Sequence, residues 1–260
     1  MNPTGNTILI TGGGSGIGRG LAEAFHKQGN QVIISGRRQS VLDDTTKANP
    51  GMKSYTLDIA DDVDIESFAE QVTSDFPALN VVINNAGIMR TEDWTSDPID
   101  LSIPESIITT NLLGPIRLTA GLLPTLKKQS SATIVTVSSG LAFLPLAVTP
   151  TYCATKAAIH SWSQSLRFQL RDTNIEVLEI APPYVQTELL GSHQASDPRA
   201  MPLADYITET ISILDSPPVS GEILVERVHP LRWAEKNGNF QQIFDTLNGS
   251  YHEELTASRS

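Results

Sequence analysis

The chain has almost no cysteine and no membrane-spanning run. Its single thiol, Cys153, excludes an internal disulfide. The five histidines lack the spacing of metal ligands, so we expect no metal site. No stretch approaches the roughly 18 consecutive apolar residues of a membrane helix. The first residues, MNPTGNTILI, carry neither a basic segment nor a long apolar one. We therefore expect a soluble, intracellular protein, placed in the cytoplasm, with no membrane partner.

Positive charge is also scarce. The 18 lysines and arginines are outnumbered by 29 acidic residues, which gives a formal net charge of -11. A surface of this sign repels nucleic acid, so no nucleic-acid partner is expected. With 260 residues and 40% apolar content the chain can bury a large core. No repeat, low-complexity tract or linker marks a boundary, and we expect residues 1–260 to form one domain.

Short apolar runs rich in β-branched residues alternate with segments of helical periodicity, such as the stripe of Ile17, Leu21 and Phe25. Nearly continuous apolar strands that alternate with helices predict a parallel sheet covered on both faces. The expected fold class is α/β: a doubly wound Rossmann-type fold with a seven-stranded parallel sheet. The predicted strands are residues 7–11, 31–35, 53–58, 80–85, 132–139, 176–181 and 222–226.

Two segments near the carboxyl terminus lie outside this alternation. The proline-containing stretch 182–202 leaves the carboxyl end of the sixth strand, the sheet edge where such folds bind ligands. We interpret residues 186–202 as a substrate lid. After the seventh strand the sequence EILVERVHPLRWAEKNGNFQQIF continues into an amphipathic pattern, which predicts a helix over about 232–248.

A glycine-rich loop, TGGGSGIGRG, follows the first strand. Gly12, Gly16 and Gly18 permit a tight turn and a close backbone approach, and the helix that they open offers unpaired N–H groups to a pyrophosphate. A glycine-rich turn without a ligand is the alternative. The position directly after the first strand favours a dinucleotide site, with Ser15 and Ile17 as part of it.

The residues after the second strand bear on the choice of dinucleotide. About twenty residues beyond the loop, where a site for NAD would carry an acid, the chain reads SGRRQ. An arginine suits a 2′-phosphate, so we expect NADP(H) rather than NAD(H), with Arg37 as the main contact and Arg38 and Ser35 as helpers. A solvated loop arginine is the alternative. Asp58, which closes the third strand, either accepts from the adenine amino group or caps the next helix.

The stretch TYCATKAAIH places Tyr152 and Lys156 four residues apart, on one face of a predicted helix. That spacing alone also fits two surface residues. Three further motifs accompany the pair: NNAG at 84–87, Asn111, and Ser138 followed by Ser139. On these motifs the chain resembles the compact, single-domain branch of the short-chain dehydrogenase/reductase family over about residues 5–190. The stretches SSGLAFLPLA and APPYVQTEL are similar to the subgroup typified by the oxidoreductase of the D-alanine-transfer operon.

The resemblance implies an NADP(H)-dependent oxidoreductase that transfers hydride between the nicotinamide and a carbonyl or alcohol substrate, a carbonyl reductase or alcohol dehydrogenase. It assigns a catalytic tetrad to Asn111, Ser139, Tyr152 and Lys156, with the serine thirteen residues before the tyrosine. Asn111 would hold a water that links Lys156 to solvent. The resemblance also implies a homodimer or homotetramer.

Chemistry explains why these residue types suit the reaction. Tyrosine, with a reference pKa of about 10, is a poor acid/base near neutrality unless its phenolate is stabilised. A cation at about 5 Å in an effective dielectric near 20 contributes about 3 kcal/mol, or roughly two pKa units. Lys156 can supply that charge and can also bond the nicotinamide ribose. Ser139 would donate to the carbonyl oxygen where negative charge develops.

The resemblance also extends the two binding sites. It assigns the backbone of Val185 and the hydroxyl of Thr187 to the nicotinamide carboxamide. The expected cofactor-binding residues are Gly12, Ser15, Gly16, Ile17, Gly18, Arg37, Arg38, Asp58, Ile59, Asn85, Ala86, Gly87, Tyr152, Lys156, Val185 and Thr187.

The substrate pocket is expected to include Leu141, Phe143, Pro183, Tyr184 and Leu189. Most of these are apolar, which predicts a neutral, mainly apolar ketone or aldehyde. Pro183 stands where many relatives carry glycine, and it stiffens the wall beside the nicotinamide. An oxo acid bound by His193, Arg199 and Gln186 is the rival.

Two other functions compete with this interpretation. A catalytically silent sensor or scaffold would bind the dinucleotide without turnover, but it would be free to lose Tyr152, Lys156 or Ser139, all of which are present. A sugar-nucleotide epimerase or dehydratase also uses a YxxxK motif. Such enzymes usually need a larger carboxyl-terminal substrate domain than the residues after the sixth strand provide.

Overall fold

A single sheet of seven parallel strands forms the centre of the molecule. The structure is a computed structural model that describes residues 2–257, and the side chains of residues 2–249. The strands are β1 (Thr7–Thr11), β2 (Gln31–Gly36), β3 (Lys53–Thr56), β4 (Leu79–Asn84), β5 (Ala132–Val137), β6 (Ile175–Ile180) and β7 (Glu222–Ile223). Their order is β3-β2-β1-β4-β5-β6-β7. The chain adds β2 and β3 on one side of β1 and then crosses to add β4 on the other side. At this switch point a crevice forms at the carboxyl ends of β1 and β4.

Helices cover both faces of the sheet, which confirms the doubly wound α/β fold. They are α1 (Gly16–Lys27), α2 (Gln39–Ala48), α3 (Asp62–Asp75), α4 (Ser102–Ile108), α5 (Gly114–Leu126), α6 (Pro150–Leu170), α7 (Leu203–Leu214), α8 (His229–Arg232) and α9 (Phe240–Ala257), with a π-helix at Thr109–Leu113 and 3-10 turns at Gly140–Ala142, Ser192–Ser196 and Glu226–Val228. None of the helices described is both long and apolar enough to cross a membrane.

Alternation along the strands sorts the core into two layers. Ile8 and Ile10 of β1 pack with Phe25 of α1, whereas Leu9, between them, packs with Phe68 of α3. This is the behaviour of a strand buried on both sides, because successive side chains point to opposite faces. Both layers pack against the strands and so fix their carboxyl ends. The predicted site residues lie at those ends.

The carboxyl-terminal segment differs from its prediction. The amphipathic pattern at about 232–248 is not one helix: α8 ends at Arg232, and α9 begins only at Phe240. Gly238 lies between them with φ of 70°, a left-handed conformation that ends helical structure and that glycine adopts without a steric penalty. The lid segment is closed at its base by a bridge between Val185 and Met201.

Candidate active site

The glycine loop wraps the amino terminus of α1 and leaves no room for side chains. Gly16 has φ of 51°, and a Cβ on Gly18 would lie 2.3 Å from the carbonyl oxygen of Gly12. Asn85 braces the loop from β4, because its Nδ2 donates to the carbonyl oxygen of Thr11 at 2.9 Å. The backbone N–H of Asn85 also donates to Thr11 Oγ1, at 3.0 Å. Asn85, Gly16, Ile17 and Gly18 thus build the cradle rather than the cleft in front of it.

A cleft opens in front of this loop, at the switch point of the sheet. Besides Thr11, Ser35 and Thr110, its lining includes half of the cofactor residues expected from the sequence. These are Gly12, Ser15, Arg37, Arg38, Asp58, Ile59, Ala86 and Gly87. The first strand, the second strand and the segment after β4 therefore meet at one concave surface, as the motif order predicts.

The far end of the cleft, after β2, suits a ribose that carries a phosphate. Ser35 is fully buried, and its Oγ has no hydrogen-bond partner in the part of the chain that the structure describes. Arg37 and Arg38 line the same end and form no ion pair with any described residue. An orphaned buried hydroxyl beside two exposed cations fits the phosphorylated ribose of a dinucleotide.

Asp58 has its own local role in the cleft wall. Its Oδ1 accepts from the backbone N–H of Ala60 at 3.0 Å. It does not cap α3, since Asp61 does so by accepting from Val63 and Asp64 at 2.9 and 3.1 Å. The alternative that Asp58 is the helix cap is therefore wrong, and neither of its carboxylate oxygens caps α3.

The four residues of the predicted tetrad are all buried at the carboxyl ends of β4 and β5. The Ser139 side chain lies close enough to the Tyr152 phenol to lower its pKa. Lys156 Nζ lies 5.6 Å from the centroid of the Tyr152 ring and donates to the carbonyl oxygen of Val137 at 2.7 Å. Tyr152, Ser139 and Lys156 therefore form one contiguous polar cluster, next to the cleft.

Asn111 borders the same cluster but its side chain is fully engaged. Its Oδ1 accepts from the N–H of Ile88, and its Nδ2 donates to the carbonyl oxygen of the same residue, both at 2.8 Å. It lies in the π-helix, and a Cβ placed on Gly87 would be 3.2 Å from Asn111 Oδ1 and 3.7 Å from Lys156 Nζ. The amide thus holds the segment after β4 against Lys156.

Burial dominates the electrostatics of the cluster. Burial raises the pKa of Tyr152 above its ordinary value, while the Ser139 side chain opposes that rise. Burial also lowers the pKa of Lys156 to about 8, while the negative charge of Glu179 opposes that fall. Desolvation of the phenolate is the largest of these effects on Tyr152.

The two neighbouring serines after β5 point to different partners. Ser138 Oγ donates to the carboxylate of Glu179 on β6. His160 Nδ1 approaches the two oxygens of that carboxylate at 3.0 and 2.8 Å. The sequence did not lead to a site prediction for either His160 or Glu179. The available signal was an acidic residue inside the otherwise apolar run EVLEIA.

Apolar side chains pack near Tyr152 and form an apolar wall. The ring joins a buried cluster with Leu146 and Val148, and Leu141 and Leu247 pack against it. Leu247 comes from α9, and its neighbour Asn248 accepts from the N–H of Ala147 at 2.6 Å. Because α9 is remote in sequence from Tyr152, no local pattern pointed to these two residues.

The predicted substrate residues are only partly gathered. The Phe143 ring is engaged elsewhere, with its centroid 4.8 Å from that of the His160 ring and 4.6 Å from the Arg232 guanidinium carbon. Tyr184 and Leu189 are 38% and 40% exposed. Of the predicted pocket residues, Leu141 is the one that packs against the Tyr152 cluster, while Pro183 is half-buried at the end of β6.

A buried glutamine holds the predicted lid segment together by hydrogen bonds that the sequence did not suggest. Gln194 is buried, and its Nε2 donates to the carbonyl oxygen of Val185 at 2.8 Å and to Thr187 Oγ1 at 3.0 Å. Thr187 lies against the glycine loop, since a Cβ on Gly16 would be 3.4 Å from its Cγ2. The start of the predicted lid segment is therefore next to the glycine loop.

The polar lid residues proposed for an oxo acid are also engaged. Arg199 Nη2 lies 2.8 Å from Asp197 Oδ2, and Gln186 Nε2 donates to the backbone carbonyl oxygen of Asp197 at 3.2 Å. Hydrogen bonds from Arg199 lower the pKa of Asp197 to about 2. The guanidinium that a carboxylate substrate would need thus already has an internal carboxylate.

Comparison with known proteins decides the family. Residues 6–198 match the model of the short chain dehydrogenase family. The chain belongs to the short-chain dehydrogenase/reductase family. This short-chain dehydrogenase is also 41% identical over 251 residues to the uncharacterized oxidoreductase DltE of Bacillus subtilis, which covers 95% of the chain and 98% of the relative. The subgroup expected from the sequence is thereby confirmed.

Solved structures agree with the fold of this short-chain dehydrogenase. A short chain dehydrogenase from Burkholderia cenocepacia in complex with NADP matches with a TM-score of 0.79 at 21% identity, over 95% of this chain and 98% of that one. A family member from Burkholderia phymatum in complex with NAD matches with a TM-score of 0.77 at 20% identity, over 93% and 96%. At these identities the likeness establishes the fold alone.

Proposed function

We propose that this short-chain dehydrogenase is a carbonyl reductase or alcohol dehydrogenase that depends on NADP(H), with Tyr152 as its general acid/base. One observation carries the proposal. The side chains of Tyr152, Ser139 and Lys156 are buried together beside a cleft whose lining suits a dinucleotide. Buried polar groups that converge at a cleft are the usual mark of a reaction centre.

The side chains have separate tasks in this scheme. Tyr152 Oη transfers its proton to the substrate oxygen during reduction and recovers it during oxidation. Ser139 Oγ donates a hydrogen bond to the same oxygen, where negative charge develops. Lys156 favours the phenolate form of Tyr152 and bonds the nicotinamide ribose. Asn111 acts through its bonds to Ile88, which hold that segment against Lys156. The nicotinamide, when bound, supplies or accepts the hydride.

The cofactor preference rests on the cations after β2. Arg37 and Arg38 would bind a 2′-phosphate, with the buried Ser35 hydroxyl as a further donor. Solved relatives hold NADP in one case and NAD in another, so the preference follows from these side chains and not from the fold. The remaining contacts follow the predicted set: the Gly12–Gly18 cradle, Asp58 and Ile59 near the base, Ala86 and Gly87 along the cleft, and Val185 and Thr187 toward the carboxamide.

The substrate is a neutral, mainly apolar ketone or aldehyde in this proposal. Leu146 shares a buried cluster with Tyr152, and Leu141 and Leu247 pack against that cluster. The rival oxo acid finds less support, because Arg199 is already paired with Asp197. Apolar walls around one polar reacting centre suit recognition of hydrocarbon and positioning of a single carbonyl.

Incubation of the purified protein with NADPH and a panel of aryl and alkyl ketones tests the proposal. We expect consumption of NADPH that depends on the ketone. Binding of NADPH without consumption, across ketones, aldehydes and oxo acids, would favour the silent sensor instead.

We also propose a cytoplasmic homodimer or homotetramer, as in the family. Light scattering of the purified protein measures that state directly.

A further inference from the structure

Glu179 is a fully buried carboxylate for which the proposed mechanism has no use. It lies on β6 with no exposed surface. Ser138 Oγ and His160 Nδ1 both bond its oxygens. Isolated buried carboxylates are costly, and they persist where they are paired and hydrogen-bonded. The hydrogen bonds are present, so the remaining question is which cation balances the charge.

His160 contacts this carboxylate from α6. Its other ring nitrogen, Nε2, lies 3.1 Å from the amide nitrogen of Gln164. The imidazole therefore meets Glu179 through Nδ1 alone.

Lys156 is a cation near Glu179 that has no carboxylate of its own in the described part of the chain. Arg232 on α8 is bonded to Glu222 on β7, with nitrogen to oxygen distances of 2.6 and 3.0 Å. These hydrogen bonds raise the pKa of Arg232, and the charge of Glu179 adds to that rise. Arg167 on α6 donates to the backbone oxygens of Val177 and Gly221. Lys156 lies one helical turn before His160 on α6, with no carboxylate bonded to its Nζ among the described residues.

Adjacent backbone links connect Lys156 and Glu179. Lys156 Nζ donates to the carbonyl oxygen of Val137, and the next residue, Ser138, donates to Glu179. The negative charge of Glu179 opposes the loss of the Lys156 proton. Ser139, whose side chain lowers the pKa of Tyr152, follows Ser138 directly. One carboxylate thus reaches both halves of the polar cluster.

We propose that Glu179 is a positioning residue for the reaction. Its buried charge keeps Lys156 protonated in the working pH range, and its bond to Ser138 fixes the end of β5 that carries Ser139. The proposal rests on the function proposed above, in which a charged Lys156 makes Tyr152 a competent acid. A purely structural carboxylate would lower activity equally at every pH. A counter-charge lowers it in proportion to the loss of the Lys156 proton.

The first experiment compares pH profiles of ketone reduction for the wild type and Glu179→Gln, which keeps the shape and removes the charge. We expect the alkaline limb of kcat to move about one pH unit lower, so that the two proteins are nearly equal at about pH 6 and differ about five-fold near pH 8. Glu179→Asp should restore the wild-type limb. A uniform loss across pH, or no change, would overturn the proposal.

Glu222→Gln is the matched control. Glu222 is the register partner of Glu179 on the adjacent strand and is also buried, but its charge is balanced by Arg232. Its neutralisation should lower stability without moving the alkaline limb. Ser138→Ala, which removes the hydrogen bond and leaves the charge, should also keep the limb in place. A limb shift of similar size in either control would contradict a specific role for the Glu179 charge.

A second readout does not depend on turnover. The NMR titration of the Lys156 side chain, assigned by its loss in Lys156→Met, should have a midpoint of about 8 in the wild type. In Glu179→Gln the midpoint should be lower, and an unchanged midpoint would overturn the proposal. A lowered midpoint in a protein that reduces no carbonyl would instead disprove the proposed function and leave the counter-charge standing.

The double variant covers the case in which Glu179→Gln does not fold. Removal of Lys156 and Glu179 together leaves neither charge without its partner. Lys156→Met/Glu179→Gln should therefore fold where Glu179→Gln fails. If the double variant fails as well, the two charges are not coupled, and the proposal is wrong.

Discussion

The ammonium of Lys156 lies 5.6 Å from the centroid of the Tyr152 ring, and both side chains are almost completely buried. Burial pushes the pKa of Tyr152 up and that of Lys156 down, so in the free protein it acts against the charged form of each. In the proposed mechanism Tyr152 must lose and regain its proton beside a charged Lys156. The nearby Ser139 and Glu179, which oppose the two shifts, are therefore as much a part of the reaction centre as the pair itself.

The buried Lys156 makes a testable contribution to stability. Its pKa is lowered from 10.5 to about 8 in the folded protein. Between these values the unfolded chain holds the proton and the folded chain does not, so folding stability rises with pH in that window. Below pH 8 the buried ammonium costs about 3 kcal/mol. We expect the free energy of unfolding of the wild type to rise relative to that of Lys156→Met between about pH 8 and pH 10.

Urea unfolding of both proteins at several pH values measures this difference. Lys128→Met removes the same charge from an exposed position and should give a flat difference across pH. A difference between the wild type and Lys156→Met that stays constant as pH rises would contradict the lowered pKa of Lys156.

The choice of cofactor should change with Arg37. A charge-assisted contact with a 2′-phosphate is commonly worth about 1.5 to 3 kcal/mol, a preference of ten-fold or more. We expect the wild type to prefer NADPH and Arg37→Asp to weaken or reverse that preference. The measurement is kcat/KM with each cofactor. Arg171→Asp makes the same charge change at an exposed residue just after α6 and should leave the ratio unchanged. Equal values for NADPH and NADH in the wild type would show that Arg37 has been misassigned.

Gly18 should tolerate no side chain. A Cβ there would lie 2.3 Å from the carbonyl oxygen of Gly12, so Gly18→Ala forces the backbone of the cradle to move. We expect a loss of about 1 to 3 kcal/mol in the free energy of unfolding, together with weaker NADPH binding. Gly249→Ala on α9, where a Cβ meets nothing within 4 Å, is the control and should not destabilise. Normal NADPH affinity in Gly18→Ala would contradict the assignment of this loop.

The apolar wall predicts the substrate preference. Leu247→Ala removes three carbons that pack against the Tyr152 cluster, and we expect kcat/KM for an apolar aryl or alkyl ketone to fall about ten-fold. Val63→Ala, on the exposed face of α3, should leave it unchanged. The wild type should also reduce the apolar ketone better than an oxo acid of similar size. A clear advantage for the acid would point to the lid residues instead.

How much of this was readable from the sequence depends on how local each feature is. The glycine loop, the strands and the Tyr152–Lys156 spacing are local patterns, and the structure has the strands within a few residues of their predicted bounds. The bond between Ser138 and Glu179 joins residues 41 positions apart, and that between Ala147 and Asn248 joins residues 101 apart. No periodicity encodes such contacts. The pKa shift of Tyr152 likewise depends on burial, which only the packed fold creates.

The most direct test of the central claim is the turnover of Tyr152→Phe. The substitution removes only the phenolic hydroxyl, so the fold and the affinity for NADPH should be retained. With a ketone that the wild type reduces, we expect kcat to fall by about 100-fold to 10,000-fold, the usual contribution of a positioned acid. Turnover of Tyr152→Phe close to that of the wild type, with NADPH bound equally well, would contradict the assignment of Tyr152 as the proton donor.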